Sequence, residues 1–384
     1  MVESTGTRLR IEKLVAGGDG LGFIDGKAVF VPFSLPGETV LAAVSPGKRD
    51  FTRAGLLRVL EPSPQRVAPR CPVYGQCGGC NLQHLEYTAQ LEAKSRIVTE
   101  AFSRTAHIEV EAPFCAPSEP FGYRNRMQLH FTRDGCMGLM KRSSSEAIAV
   151  DSCPVAQLAI RSWIEANADS SAAYAELSAK LGGADRFLVF GYGDELWIEG
   201  RENVVEVKLA GRAIRFHVQG FFQSNLGLLG SLVSAATGGR SGSLAADLYC
   251  GVGLFGSFLA PAFERLVCVE QNERALELAK ANVSGPGHEF HPASMEDWVL
   301  SASAKQRFDL VLVDPPRAGL APEVRSWLAC FRPETVVYVS CDPVTLARDS
   351  GELVRSGYEL RELKAFDFYP QTSHVECYAR FGLR

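Results

Sequence analysis

Along the first 60 residues, short apolar runs alternate with polar positions and are broken by turn signals. Strand-like runs cover residues 8–14, 21–24, 28–33 and 38–44, separated by Gly17-Gly18-Asp19-Gly20, Asp25-Gly26 and Pro36-Gly37. Period-two alternation bounded by Gly, Pro and Asp predicts strands joined by tight turns, and so a small all-β barrel. A proline-containing connector, 61–69, leads into a cysteine-dense segment. Over residues 81–106 the apolar positions Leu82, Leu85, Leu91, Ile97, Val98 and Phe102 fall at broadly helical spacing, which predicts one or two helices. Residues 110–218 return to short strand-like runs, among them 127–132, 188–190 and 196–198, interrupted by a helical stretch at 155–181. This part reads as a mixed domain.

After Gly220 the pattern changes to apolar runs of strand length at 245–248, 266–269, 308–313 and 336–339, each followed by a turn and an amphipathic helix candidate. Such repetition predicts a parallel sheet with helices on both faces. The fold class is therefore α/β, with a small N-terminal barrel and a mixed α+β centre.

A chain of 384 residues predicts two or three domains, and 46% apolar residues excludes a disordered or collagen-like chain. No apolar run approaches the roughly 20 residues of a membrane span. Residues 1–10 lack the apolar stretch of a secretion signal, so a soluble, cytoplasmic protein is expected. The formal charge of −4 is mildly asymmetric, with 18 basic and 15 acidic residues in the first 150, and says little about partners. Eleven cysteines, an odd number, argue against wholesale disulfide pairing and ask for individual reasons.

The first candidate site is Asp247-Leu-Tyr-Cys-Gly251-Val-Gly253-Leu-Phe-Gly256, a strand end running into a glycine-rich turn, where the backbone can approach a ligand closely. The next strand ends in Glu270 about 20 residues on, where such folds hydrogen-bond a ribose diol, so a ribose-bearing cofactor is expected. Asp314-Pro-Pro-Arg317-Ala-Gly319 follows the third strand and places Asp314 at the same rim. Its two prolines stiffen the loop. The Asp-Pro-Pro loop is similar to one in methyltransferases acting on amino groups of bases, and leaves that reaction open.

The fourth strand ends in Cys341, ahead of Pro343 and a helix at 345–355 whose dipole would lower the thiol pKa and expose a thiolate nucleophile. Glu376, in Pro370-Gln-Thr-Ser-His374-Val-Glu376, is a candidate for the proton transfer that covalent catalysis needs, and His374 reads as structural. Cys71-x5-Cys77-x2-Cys80, with Cys153-Pro154 further on, offers four thiolates for an iron-sulfur cluster or a tetrahedral zinc site. The irregular first spacing and the proline after the fourth cysteine lean towards iron-sulfur. Cys115, Cys136, Cys250, Cys268, Cys330 and Cys377 have no partner pattern and read as packing residues.

Taken together and in this order, these residues resemble the RNA 5-methyluridine (uracil-C5) methyltransferase family, specifically its iron-sulfur-containing members acting on 23S ribosomal RNA. The resemblance covers nearly the whole chain, with Phe221-Phe222-Gln223-Ser224-Asn225 similar to the segment leading into the catalytic domain. It implies a TRAM-like RNA-binding barrel at 1–62, a central iron-sulfur domain at 63–88 and 112–218, and a Rossmann-like methyltransferase domain at 89–111 and 219–384. It implies Cys341 as nucleophile and Glu376 as base, with Gln223, Tyr249, Gly251, Glu270 and Asp314 around S-adenosylmethionine and uracil. It further implies a four-iron cluster on Cys71, Cys77, Cys80 and Cys153, RNA as partner with 23S rRNA favoured over the tRNA T-loop, no membrane and no obligate protein partner. Arg124 and Arg126 are candidates for phosphate contacts or a solvated pair.

Overall fold

The structure is a computed structural model that describes residues 6–46, 50–168, 171–200 and 204–384. Residues 1–5 of the expected polar N-terminus and 169–170 of the expected helical stretch lie outside the described residues. Strands β1 (Thr7–Leu14), β2 (Gly20–Ile24), β3 (Lys27–Val31), β4 (Thr39–Val44) and β5 (Phe51–Glu61) close into a barrel in the order β1-β2-β3-β5-β4. Alternation turns Leu9, Ile11, Val29, Val31, Val40, Ala42 and Ala54 inwards as its core. The apolar-run criterion misses β5 because Arg53 and Arg58 occupy exposed positions and Gly55 interrupts it.

Helix α1 (Tyr87–Ala101) continues through a π-helical turn at Phe102–Ala106. Its buried Val98, Ala101 and Phe102 join the core beneath the C-terminal sheet. The central sheet runs β11-β10-β7-β8-β9, built from β7 (Arg126–Phe131), β8 (Met137–Met140), β9 (Ala147–Ala149), β10 (Arg186–Tyr192) and β11 (Glu195–Ile198). The expected helical stretch is two helices, α2 (Leu158–Asn167) and α3 (Ser171–Lys180). The hairpin of β12 (Val204–Leu209) and β13 (Arg212–His217) buries Val205, Val207, Ile214 and Phe216 with the apolar face of α4 (Leu226–Thr237).

The C-terminal sheet has eight strands in the order β16-β15-β14-β17-β18-β20-β19-β6. β14 (Gly242–Leu248), β15 (Phe263–Val269), β17 (Leu310–Val313) and β18 (Thr335–Ser340) pair in parallel, as the apolar runs predict, and the short β16 (Glu289–His291), which no apolar run marked, adds to the edge in parallel with β15. Between them lie α5 (Leu254–Leu259), α6 (Glu273–Asn282), α7 (Met295–Trp298) and α8 (Pro322–Phe331), and α9 (Pro343–Arg355) follows β18. The sheet is not purely parallel. β20 (Glu376–Leu383) runs antiparallel to both β18 and β19 (Tyr358–Phe366), and the short β6 (Cys115–Ala116) pairs with β19. β19 hides from a search for apolar runs because the charged residues Glu359, Arg361, Glu362 and Lys364, all but Glu362 exposed, interrupt it. Among the described residues no helix is long and apolar enough to cross a membrane.

Candidate active site

Chain topology brings the predicted residues to one rim. Tyr249, Glu270, Asp314 and Cys341 are each the first residue after the carboxyl end of a parallel strand, β14, β15, β17 and β18. Open α/β sheets bind ligands at that edge. Glu376 reaches the same rim from the opposite direction, as the first residue of the antiparallel β20. The register pairs Ser340 with Cys377, so the next rung sets Cys341 opposite Glu376. Directly opposed residues bring their Cβ atoms to about 5 Å.

These five residues, with Gln223 and Gly251, line one cavity of about 1400 Å³. At its glycine-turn end Tyr249, Gly251 and Gly253 have positive φ values of 62°, 53° and 75°. A Cβ on Gly253 would lie 2.9 Å from Val283 Cγ2, so glycine is needed there for the turn to pack on α6. Glu270 braces the turn: its Oε2 accepts from the Gly251 N–H at 3.1 Å and its Oε1 from Asn272 N–H at 2.7 Å.

At the other end the acid groups are crowded. Burial pushes the Asp314 carboxyl up to about 7. Burial, and then the charge of Asp314, raise Glu376 well above the ordinary carboxylate range, while Arg317 opposes them. The Cys341 thiol is pushed up to about 11 by burial and the nearby Glu376 carboxylate, against the pull of Arg317. The thiol thus does not show the expected lowering, its net shift being upward. The N–H groups of Val344 and Thr345 at the start of α9 already donate to Asp342 Oδ1, at 2.8 and 3.1 Å. Arg317 was visible only as part of a motif, and Tyr369, which also lines the cavity, carried no sequence signal. His374 lies there too.

The second predicted constellation also assembles. Cys71, Cys77, Cys80 and Cys153 line a separate cavity of about 270 Å³ together with Arg124. Burial raises all four thiols, Cys80 to about 12, and Arg124 pulls Cys77, Cys80 and Cys153 down. Arg124 therefore faces the thiols, whereas Arg126 sits half-buried with one guanidinium N–H reaching Gln219 O at 3.5 Å. Among the described residues no three His, Cys, Asp or Glu side chains are already arranged to hold a metal ion. Of the other cysteines, Cys115, Cys250, Cys268 and Cys377 are buried as expected for packing, but Cys330 is exposed on α8.

A glycine turn at the carboxyl rim of a mostly parallel sheet is where open α/β folds bind nucleotide-like ligands, and the match of residues 228–328 to the methyltransferase small domain family places the chain among methyltransferases. Residues 298–381 match the tRNA (Uracil-5-)-methyltransferase family. An uncharacterized RNA methyltransferase of Treponema denticola is 33% identical, with 97% of this chain and 98% of that protein covered. The 23S rRNA (uracil(1939)-C(5))-methyltransferase RlmD of Edwardsiella ictaluri is 32% identical, covering 96% and 94%. The solved structure of Pyrococcus abyssi tRNA (uracil-54, C5)-methyltransferase in complex with S-adenosyl-L-homocysteine superposes with a TM-score of 0.72 at 28% identity, covering 98% of this chain and 100% of that one. The chain belongs to the RNA uracil-C5 methyltransferase family and is an S-adenosylmethionine-dependent enzyme acting on RNA.

Proposed function

We propose that the protein methylates C5 of a uridine in 23S ribosomal RNA through a covalent adduct to Cys341. The observation that carries this reading is the placement of the Cys341 thiol, just past the end of β18, across from the buried Glu376 carboxylate that opens β20, in one cavity with the glycine turn. The relatives of 32–33% identity that span almost the whole chain favour ribosomal over transfer RNA as substrate.

Uracil C5 is a weak nucleophile and must be activated. Cys341 Sγ, as thiolate, forms a bond to C6, and the C5=C6 electron pair moves into the ring as an enolate. S-adenosylmethionine, when bound, supplies an electrophilic methyl group on a sulfonium. After C5 has taken the methyl, the Glu376 carboxylate removes the C5 proton. The freed pair re-forms C5=C6 and expels the Cys341 thiolate. Arg317, the cation that lowers both groups, favours the charged forms these steps require. Tyr249, Gly251, Glu270, Asp314 and Gln223 would hold the cofactor and the base, and the target uridine must be unstacked for its C5 and C6 to reach this rim.

Four thiols around one cavity, Cys77 and Cys153 buried and Cys71 and Cys80 half-buried, with a cation to offset thiolate charge, fit an iron-sulfur cluster, and we assign Cys71, Cys77, Cys80 and Cys153 as its ligands. The barrel is assigned as a TRAM-like RNA-binding domain over 1–62. The divisions at 63–88 with 112–218, and 89–111 with 219–384, are supported at 89–111 by the packing of α1 against the C-terminal core.

The test is incubation with S-adenosylmethionine and separate pools of unmodified 23S and transfer RNA, with nucleoside analysis of the product. We expect 5-methyluridine in 23S rRNA. Its appearance only in transfer RNA would reassign the substrate, and methylation on a base amino group would overturn the mechanism.

A further inference from the structure

Residues 370–375, which lead into Glu376, lie outside the sheet that Glu376 joins. Gln371, only 3% exposed, has a left-handed backbone with φ of 67°, a conformation that costs a non-glycine residue free energy and persists only when neighbours enforce it. Those neighbours are remote in sequence. The Gln371 N–H donates to Gln90 Oε1 at 2.9 Å, and its carbonyl accepts from the N–H groups of Asn81 and Leu82 at 3.0 and 2.9 Å. Its side chain accepts from Gln90 Nε2 at 3.1 Å and donates to Pro120 O at 3.2 Å. Just before it, Pro370 O accepts from the Tyr123 hydroxyl at 2.9 Å.

Asn81 completes the clamp. Its Oδ1 accepts from the Ser373 N–H at 2.9 Å, and its Nδ2 donates to Ser373 Oγ at 3.2 Å and to Gly17 O of the barrel at 2.7 Å. The barrel presses on the same joint: a Cβ on Gly18 would lie 2.6 Å from Asn81 Nδ2 and 3.0 Å from Ser373 Cβ. Asn81 directly follows Cys80, and Ser373 lies three residues before Glu376. One amide thus ties the cysteine loop and the barrel to the chain that aims the carboxylate.

We infer that Asn81 is a positioning residue for Glu376, holding the turn at 370–373 so that the carboxylate meets the C5 proton. The inference rests on the reading of Glu376 as base. Cys341 follows directly on β18, outside this clamp, so loosening the clamp slows proton removal while leaving thiolate addition and methyl transfer intact. The methylated Cys341–uracil adduct should then accumulate on ordinary, unfluorinated RNA.

The experiment compares full-length wild type, Asn81→Ala, Ser373→Ala and Glu376→Gln, matched for folded fraction and metal content, on unmodified 23S rRNA with methyl-labelled S-adenosylmethionine. Denaturing gels count labelled protein–RNA conjugate, and steady-state assays give kcat and KM. For Asn81→Ala we expect kcat to fall about 10- to 100-fold, KM for RNA to stay within about twofold, and conjugate to build up as it does in Glu376→Gln. Ser373→Ala, which removes one bond of the clamp and leaves every residue of the cysteine loop in place, should shift the same readouts less and carries the test if Asn81→Ala does not fold. Conjugate in Glu376→Gln but in neither clamp variant overturns the inference alone, as does a rise in KM with kcat unchanged. Absence of conjugate from Glu376→Gln as well overturns the role of Glu376 and the inference with it.

Discussion

Asp247 shows how burial of one acid couples the glycine turn to pH. Its Oδ2 accepts from the Gly256 N–H at 2.7 Å, while its Oδ1 is buried without a partner. Burial, against that hydrogen bond and reinforced by Asp314 and Glu270, pushes its carboxyl from 3.8 up to about 8. Between those values the folded chain holds a proton that the unfolded chain has lost, so stability falls as pH rises from about 4 to about 8. Asp247→Asn removes that dependence, and its thermal midpoint should gain on the wild type as pH is raised through this window. A gap that stays constant with pH would refute the argument. For Cys341 the reactive form is the deprotonated one and its pKa is near 11, so adduct formation should quicken as pH rises from 7 to 10. Arg317→Ala should move that profile to higher pH, because the guanidinium lowers the thiol.

At the scale of elements, α1 is pinned to the catalytic sheet by a fully buried ion pair between Lys94 and Asp367, with Lys94 Nζ also donating to Tyr369 O at 3.0 Å. Burial lowers the Lys94 pKa and Asp367 opposes it. Removing one partner strands the other charge away from water, so Lys94→Met should cost about 3–5 kcal/mol in urea unfolding, and Lys94→Met with Asp367→Leu should recover most of it. The rim strands were legible in sequence because parallel strands buried on both faces carry near-continuous apolar runs, and each is followed by a residue with chemistry to offer. β19 and β20 were not. Their register, which sets Glu376 against Cys341, is a long-range pairing that no local period records. The same holds for Tyr369, and for Gln371, whose left-handed backbone is imposed by Asn81 and Gln90.

Across the whole molecule, the barrel, the cysteine loop and the catalytic sheet meet at one joint. Asp19, mostly buried, pairs with Arg142 beside the cysteine loop at 3.3 Å, next to the Gly17–Asn81 contact. The four cysteines were legible as a set from their types and spacing, yet their gathering around Arg124 depends on β7 and the loop before α2. Anaerobic purification should yield about four iron and four sulfide per chain, and Cys153→Ser should lose most of both. Zinc without iron would contradict the cluster assignment.

The central claim is covalent catalysis by Cys341, and fluorine at C5 tests it directly because it blocks removal of the final proton. The protein should be mixed with S-adenosylmethionine and 5-fluorouridine-substituted 23S rRNA, and the products resolved by denaturing gel and peptide mass spectrometry. A stable protein–RNA adduct mapped to Cys341 is the predicted result. Methylation of unsubstituted RNA from the same pool with no adduct, or an adduct on another residue, would contradict it.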